Sequence, residues 1–257
     1  MRKAFSSAAS FIALPFLLLR KRKNRSKRPI FHYSTIDALR NNAFIGELTV
    51  GKLCKKGDFG LGTYNCLDGE MIALDGVFYR ASSAGEIFVA KADWKVPYAC
   101  ITFFAAEFEC EIYGIKNIEM LENEILKRLP SANRPYALRI ECRFEQVVVG
   151  CMRKIEKEEN SSLEELLKDR PLFERGNVSG AIVGFYTPLS FGAIDLAPFH
   201  FHFISDDRLY GGHLVSGIFS AQAVKVGIQA KPGYEIILPE IMLSMRLGCR
   251  KRKMDRR

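Results

Sequence analysis

The stretch Pro198-Phe199-His200-Phe201-His202-Phe203-Ile204-Ser205-Asp206-Asp207-Arg208-Leu209-Tyr210-Gly211-Gly212-His213 decides how the chain is read. Its opening alternation predicts a strand, in which successive side chains point to opposite faces. His200 and His202 then leave one face about 7 Å apart along the strand. Phe199, Phe201 and Phe203 leave the other face and pack into an apolar layer. The Asp-Asp-Arg run and Gly211-Gly212 read as a turn, and a hairpin return brings His213 beside the first two histidines. A single histidine on a strand is ordinarily structural, but here three of the chain's four fall within fourteen positions. Three imidazoles that leave a fourth position open form a ligand set for catalytic zinc. Zinc is preferred over copper or iron on precedent, not on spacing.

Composition bounds what the rest of the chain can be. At 257 residues it can bury a large core, and 48% hydrophobic with 26% charged residues describes a globular protein. The net charge of +9 resembles a nucleic-acid signal until its distribution is examined. Residues 1–28 hold nine Lys and Arg and no acid, and residues 246–257 hold seven and one Asp. The remaining 22 Lys and Arg against 28 Asp and Glu leave residues 29–245 at −6. An acidic body without interleaved aromatic and basic residues excludes a specific nucleic-acid surface. Seven cysteines, an odd number with no Cys-x-x-Cys pair, argue against a disulfide framework and a thiolate zinc ribbon. They read mostly as small buried hydrophobes in a reducing compartment.

Residues 1–28 are read as an anchor or targeting segment outside the fold, residues 29–245 as the folded domain, with two lobes dividing near 150–175, and residues 246–257 as a basic tail. The uncharged run Ala4 to Leu19 is short for a membrane span and is followed by heavy positive charge. The expected location is cytoplasmic, with N-terminal anchoring or organelle targeting as the alternative and weak membrane association through residues 1–28. Within the body, Ser34 is expected to cap a short helix, and His32 is read as structural. Asp75-Gly76 between apolar runs predicts a hairpin. Strand-like runs cover Val96 to Phe104, and a strand pair is expected over Tyr136 to Val149. Asn117 to Leu129 carries helical periodicity, and Ser161-Ser162-Leu163-Glu164-Glu165 reads as a capped helix start. Val178 to Tyr186, apolar with internal glycines, predicts a strand packed closely against something. Tyr234 to Leu238 reads as a last strand after the Lys231-Pro232-Gly233 turn. The result is an α+β class, a strand-rich two-lobed fold of mixed and antiparallel sheets with a few short helices, the metal site lying between or beside the sheets. Asp58-Phe59-Gly60 matches a kinase element in isolation, but no other kinase motif accompanies it.

Several stretches together resemble the α-acetolactate decarboxylase family, zinc enzymes that convert 2-acetolactate to acetoin. They are Tyr33-Ser34-Thr35-Ile36-Asp37-Ala38-Leu39, Gly57-Asp58-Phe59-Gly60-Leu61-Gly62-Thr63, Leu67-Asp68-Gly69-Glu70-Met71-Ile72, Gly176-Asn177-Val178-Ser179-Gly180, Gly184-Phe185-Tyr186-Thr187-Pro188, and the histidine motif itself. They run in order from about residue 31 to 238. The resemblance implies that His200, His202 and His213 bind zinc, that Glu70 lies at the metal, and that Thr63 lines the same pocket. It implies a carboxy-lyase acting on a small molecule, and a homodimer is compatible with it.

The sequence departs from that pattern twice. Aligning from Phe144 puts Gly150 where the family has an arginine, within an Arg-x-Val-Pro segment. Arg153 lies three positions on without the Val-Pro context, so the role is not carried to it. The family's C-terminal glutamate has no counterpart after Pro239, where the chain turns to Met245-Arg246-Leu247-Gly248-Cys249 and a basic run. Two alternatives therefore stand beside the enzyme: an impaired homologue that binds zinc or a small oxo-acid, and a membrane- or polyanion-associated protein acting through its basic tails.

Overall fold

A computed structural model of the chain describes residues 27–156 and 161–240. The basic C-terminal tail and nearly all of the N-terminal segment lie outside the described residues. Among those residues no helix is long and apolar enough to cross a membrane.

The first half builds a seven-stranded sheet. Its strands are β1 (Ile30–Tyr33), β3 (Phe59–Thr63), β4 (Glu70–Leu74), β5 (Val77–Ala81), β6 (Ile87–Val89) and β8 (Tyr98–Thr102), joined at one edge by β15 (Tyr234–Ile237), in the order β15-β1-β8-β3-β4-β5-β6. The short pair β2 (Leu48–Thr49) and β7 (Lys95–Val96) lies apart from it. Every neighbour in the large sheet is antiparallel except β1 and β15, which run parallel. Asp75 and Gly76 both take positive φ, 53° and 81°, and make the two-residue hairpin between β4 and β5 that their composition predicts.

The second half builds a six-stranded sheet in the order β11-β12-β13-β10-β14-β9. Its strands are β9 (Phe108–Ile112), β10 (Tyr136–Gly150), β11 (Leu172–Tyr186), β12 (Phe199–Ser205), β13 (Gly211–Phe219) and β14 (Val224–Ala230). The expected strand pair over Tyr136 to Val149 is instead one continuous strand of 15 residues. Nothing in it turns, because its partners lie elsewhere in the chain. β11 runs along one edge, while β14 and then β13 share the other. Since β11 pairs with β12 and β12 with β13, strands β10 to β13 close on themselves as a small barrel.

Three glycines show how tightly the barrel interior is filled. A Cβ at Gly184 would come 2.2 Å from the Phe201 ring, one at Gly180 2.6 Å from Phe203, and one at Gly217 2.4 Å from Phe144. The glycines in Val178 to Tyr186 therefore accommodate the aromatic face of β12, the close packing that their presence predicts. The histidine face of β12 points the other way. On that side Ile204, Val183 and Phe185 meet Phe59, Leu61 and Ile72 of the first sheet. The sheets thus stack with the histidines between them.

Among the described residues the α-helices are few and short: α1 (Ile36–Arg40), α2 (Val50–Leu53), α3 (Ile118–Leu126) and α4 (Leu163–Lys168). Leu121 and Ile125 seal α3 onto the barrel core, and α4 begins with the predicted capping box of Ser162 and Glu165. The cap of α1 is Thr35, not Ser34: the Thr35 hydroxyl accepts from the Ala38 amide at 3.1 Å, while Ser34 sits at φ 65° one residue outside.

Candidate metal centre

His200 and His202 leave the same face of β12, and the register of the hairpin sets His202 opposite His213 on β13. The turn that returns the chain is Asp206 to Tyr210, tightened by the Ser205 hydroxyl, which accepts from the Tyr210 amide at 3.0 Å. Gly211 and Gly212, expected in the turn, begin β13 instead, where a side chain at Gly212 would strike Cys151 at 2.8 Å. The three rings lie 5.2, 5.3 and 5.4 Å apart by centroid, and one nitrogen from each falls within 4.8 Å of the others. His200 and His202 are buried, and His213 is half-buried.

Two of the rings are already oriented as ligands. His202 donates from Nδ1 to the Met71 carbonyl at 2.9 Å, and His200 donates from Nδ1 to Asp195 Oδ1 at 2.8 Å. In a neutral ring each bond sets the proton on Nδ1 and turns the Nε2 lone pair toward the other histidines, the arrangement that a metal-binding imidazole requires. Burial first, with the Arg170 charge acting in the same direction, pushes the pKa of His202 and His213 well below the ordinary histidine value. Those two imidazoles are neutral at neutral pH, the ligating form. The donor set therefore fits a metal ion.

Glu70 and Thr63 arrive from the opposite sheet, paired across the β3–β4 hairpin. Glu70 Oε2 lies 3.7 Å from Nε2 of His202, and Oε1 accepts from the Met152 amide at 3.2 Å. Burial pushes the Glu70 carboxyl up to about 7, against the opposing pull of that amide and of the Arg170 charge. Thr63 donates its hydroxyl to the Gly69 carbonyl at 2.8 Å, which leaves the oxygen's lone pairs to the cavity. The cavity measures about 260 Å³; Thr63, Glu70, Arg170 and the three histidines line it together with apolar residues including Ile36, Leu39, Leu163 and Leu196. A larger concavity of about 590 Å³, lined by Glu109, Arg139 and Lys225 among others, holds no cluster of metal-ligating groups among the described residues. The three-histidine cluster lines the smaller one.

Behind His200 lies a polar backing that the sequence does not announce. Asp195 is fully buried, and its Oδ1 also accepts from the Tyr98 hydroxyl at 2.5 Å and from the Leu196 amide at 2.7 Å. Burial alone would raise this carboxyl, but the charge and hydrogen bond of His200 outweigh it and hold it well below the usual range. His32, read as structural, sits 4.0 Å from Oδ2 of Asp195, too far for a hydrogen bond, and burial pushes its pKa down to about 4. His32, Cys100 and Asp195 form a second cluster of donor atoms within 4.8 Å. Burial holds the Cys100 thiol well above its ordinary pKa and Asp195 is committed to His200, so this cluster serves as support for the first.

Comparison with known proteins then identifies the architecture. The family model described as alpha-acetolactate decarboxylase matches residues 30–242. The chain belongs to the alpha-acetolactate decarboxylase family. It is 34% identical to the alpha-acetolactate decarboxylase of Bacillus subtilis over 87% of this chain and 86% of that one. It is 32% identical to that of Methylococcus capsulatus over 82% of this chain and 80% of that one. Among solved structures, the Bacillus subtilis enzyme superposes with a TM-score of 0.78 at 35% identity, covering 82% of this chain and 88% of that one. A Staphylococcus aureus protein, described as of unknown function and similar to the family, superposes with a TM-score of 0.80 at 30% identity, covering 84% and 93%.

Within this family member, the two departures seen in the sequence have different outcomes. The C-terminal one falls outside the described residues. At Gly150 the space beside the backbone is taken by another guanidinium: a Cβ there would lie 2.5 Å from Nε of Arg170. Arg153 is exposed and does not line the cavity. The sequence reading passed over Arg170, because only the β10–β11 register, which pairs Gly150 with Leu172, carries it to the site.

Proposed function

We propose that the protein decarboxylates 2-acetolactate to acetoin and CO₂, using zinc held by His200, His202 and His213. The observation that supports this most is the convergence of three histidines, two of them with Nδ1 already bonded, beside the buried carboxylate of Glu70 in a small cavity. When bound, zinc supplies a Lewis acid that stabilises negative charge developing on the substrate's oxygens.

The chain's own residues do the rest. Asp195 and the Met71 carbonyl hold two rings in the ligating tautomer. The Met152 amide holds Glu70 beside the histidines, where it manages the proton. Breaking the bond to the carboxyl group leaves its electron pair on the former α-carbon, and the adjacent ketone takes that pair up as an enolate. Glu70 in its acid form then delivers a proton to one face of that carbon, giving the hydroxyketone. Apolar residues at the cavity keep water away from the carbanion equivalent. The test is acetoin formation from 2-acetolactate by the purified full-length chain, before and after chelation and after adding zinc back. Product that disappears on chelation and returns with zinc is expected; a chain with no zinc-dependent product overturns the reading.

A further inference from the structure

We propose that Arg170 is the cation that binds the substrate's carboxylate, and that residue 150 is glycine because the guanidinium occupies the space a side chain there would fill. The inference deepens the decarboxylase reading and rests on it. Arg170 lies at the entry to β11, two residues before Leu172 pairs with Gly150 at the end of β10. From there its side chain passes directly over the Gly150 backbone. A Cβ on that glycine would come within 2.5 Å of Nε, 2.9 Å of Cδ and 3.1 Å of the guanidinium carbon. Arg170 lines the cavity with the three histidines and Glu70. None of the ion pairs among the described residues uses it.

Its charge is nevertheless felt across the site, as it favours the ionised form of Glu70 and the neutral forms of His202 and His213. A guanidinium with no carboxylate partner among the described residues, in a cavity that a 2-hydroxy-3-oxo acid would enter, offers paired N–H donors to that acid's carboxylate. This ion pair exists in the ground state and does not strengthen as charge leaves the carboxyl group. It therefore serves binding more than the bond-breaking step.

The experiment has a kinetic and a binding arm, both on zinc-loaded full-length protein. Arg170→Gln should raise KM for 2-acetolactate by about 10- to 100-fold and leave kcat within a few-fold; Arg170→Lys should recover part of the loss. Calorimetry with 2-hydroxy-2-methylpropanoate, a probe carrying the acid and hydroxyl but no ketone, should show the same weakening in Arg170→Gln, while the corresponding amide binds both proteins alike. Gly150→Ala should raise KM in the native background, where it collides with the guanidinium, and have little effect in the Arg170→Gln background. An Arg170→Gln protein that binds the probe and turns over substrate like the native chain overturns this assignment alone. A native chain that makes no acetoin overturns the decarboxylase reading instead.

Discussion

His200 and Asp195 are joined by a 2.8 Å bond from Nδ1 to Oδ1 in the interior of the protein, and the same oxygen takes the Tyr98 hydroxyl and the Leu196 amide. One buried carboxylate oxygen therefore orients a ring of the three-histidine cluster, five residues away in sequence. Asp195→Asn keeps the shape but forfeits the negative charge opposite the imidazole. It should weaken zinc binding by about 10- to 100-fold while leaving the fold intact, measured as the zinc affinity of the variant against a competing chelator. Native affinity in the variant would show that Asp195 does not orient His200.

Glu70 is the carboxylate that reaches the histidines from the opposite sheet, 3.7 Å from His202. Replacing it with Gln preserves volume and the Met152 contact but removes the acid. Turnover should fall by roughly 10² to 10⁴-fold with bound zinc retained, read from steady-state kinetics alongside metal content. A variant that keeps its kcat would remove Glu70 from the proton step.

The barrel leaves no room at Gly184, where an added methyl group would begin 2.2 Å from Phe201. Gly184→Ala should cost about 1 to 3 kcal/mol of stability, seen as a lowered urea midpoint with an unchanged slope. Because Phe201 sits between the two histidines of β12, zinc affinity should fall as well. An unaltered midpoint would mean that the aromatic face of β12 is loosely held.

His32 makes folding sensitive to acid. Its ordinary pKa is 6.5, and burial lowers it to about 4 in the folded protein. Between those values the unfolded chain binds a proton that the folded chain refuses, so stability falls as the pH drops through that window and is unaffected above it. The loss attributable to this one residue reaches up to about 3 kcal/mol by pH 4. His32→Gln should flatten the decline, measured as urea midpoints of both proteins from pH 7 down to 4.5. Parallel declines would assign the acid sensitivity to other groups.

The histidine strand, the hairpin that returns His213, the Asp75-Gly76 turn and the capping box of α4 were all legible because each depends on spacing over a few residues. The closed barrel was not, since it rests on β10 pairing at once with three distant strands, and no local pattern distinguishes one strand of 15 residues from two. The same limit hid Asp195 and Arg170. Asp195 lies in a loop and reads as an exposed acid until Tyr98 and His200 fold over it, and Arg170 sits twenty residues from the glycine it covers. Thr63 and Glu70 became site residues through the family resemblance, and the β3–β4 register then explained why they stand together.

A zinc-dependent decarboxylase is tested most directly by a zinc titration of the metal-free chain with acetoin production followed at each addition. Activity should rise linearly and saturate at about one zinc per chain, with the His202→Ala protein remaining inactive throughout. A chain that fills with zinc and releases no acetoin, or one whose rate is independent of zinc, would contradict it.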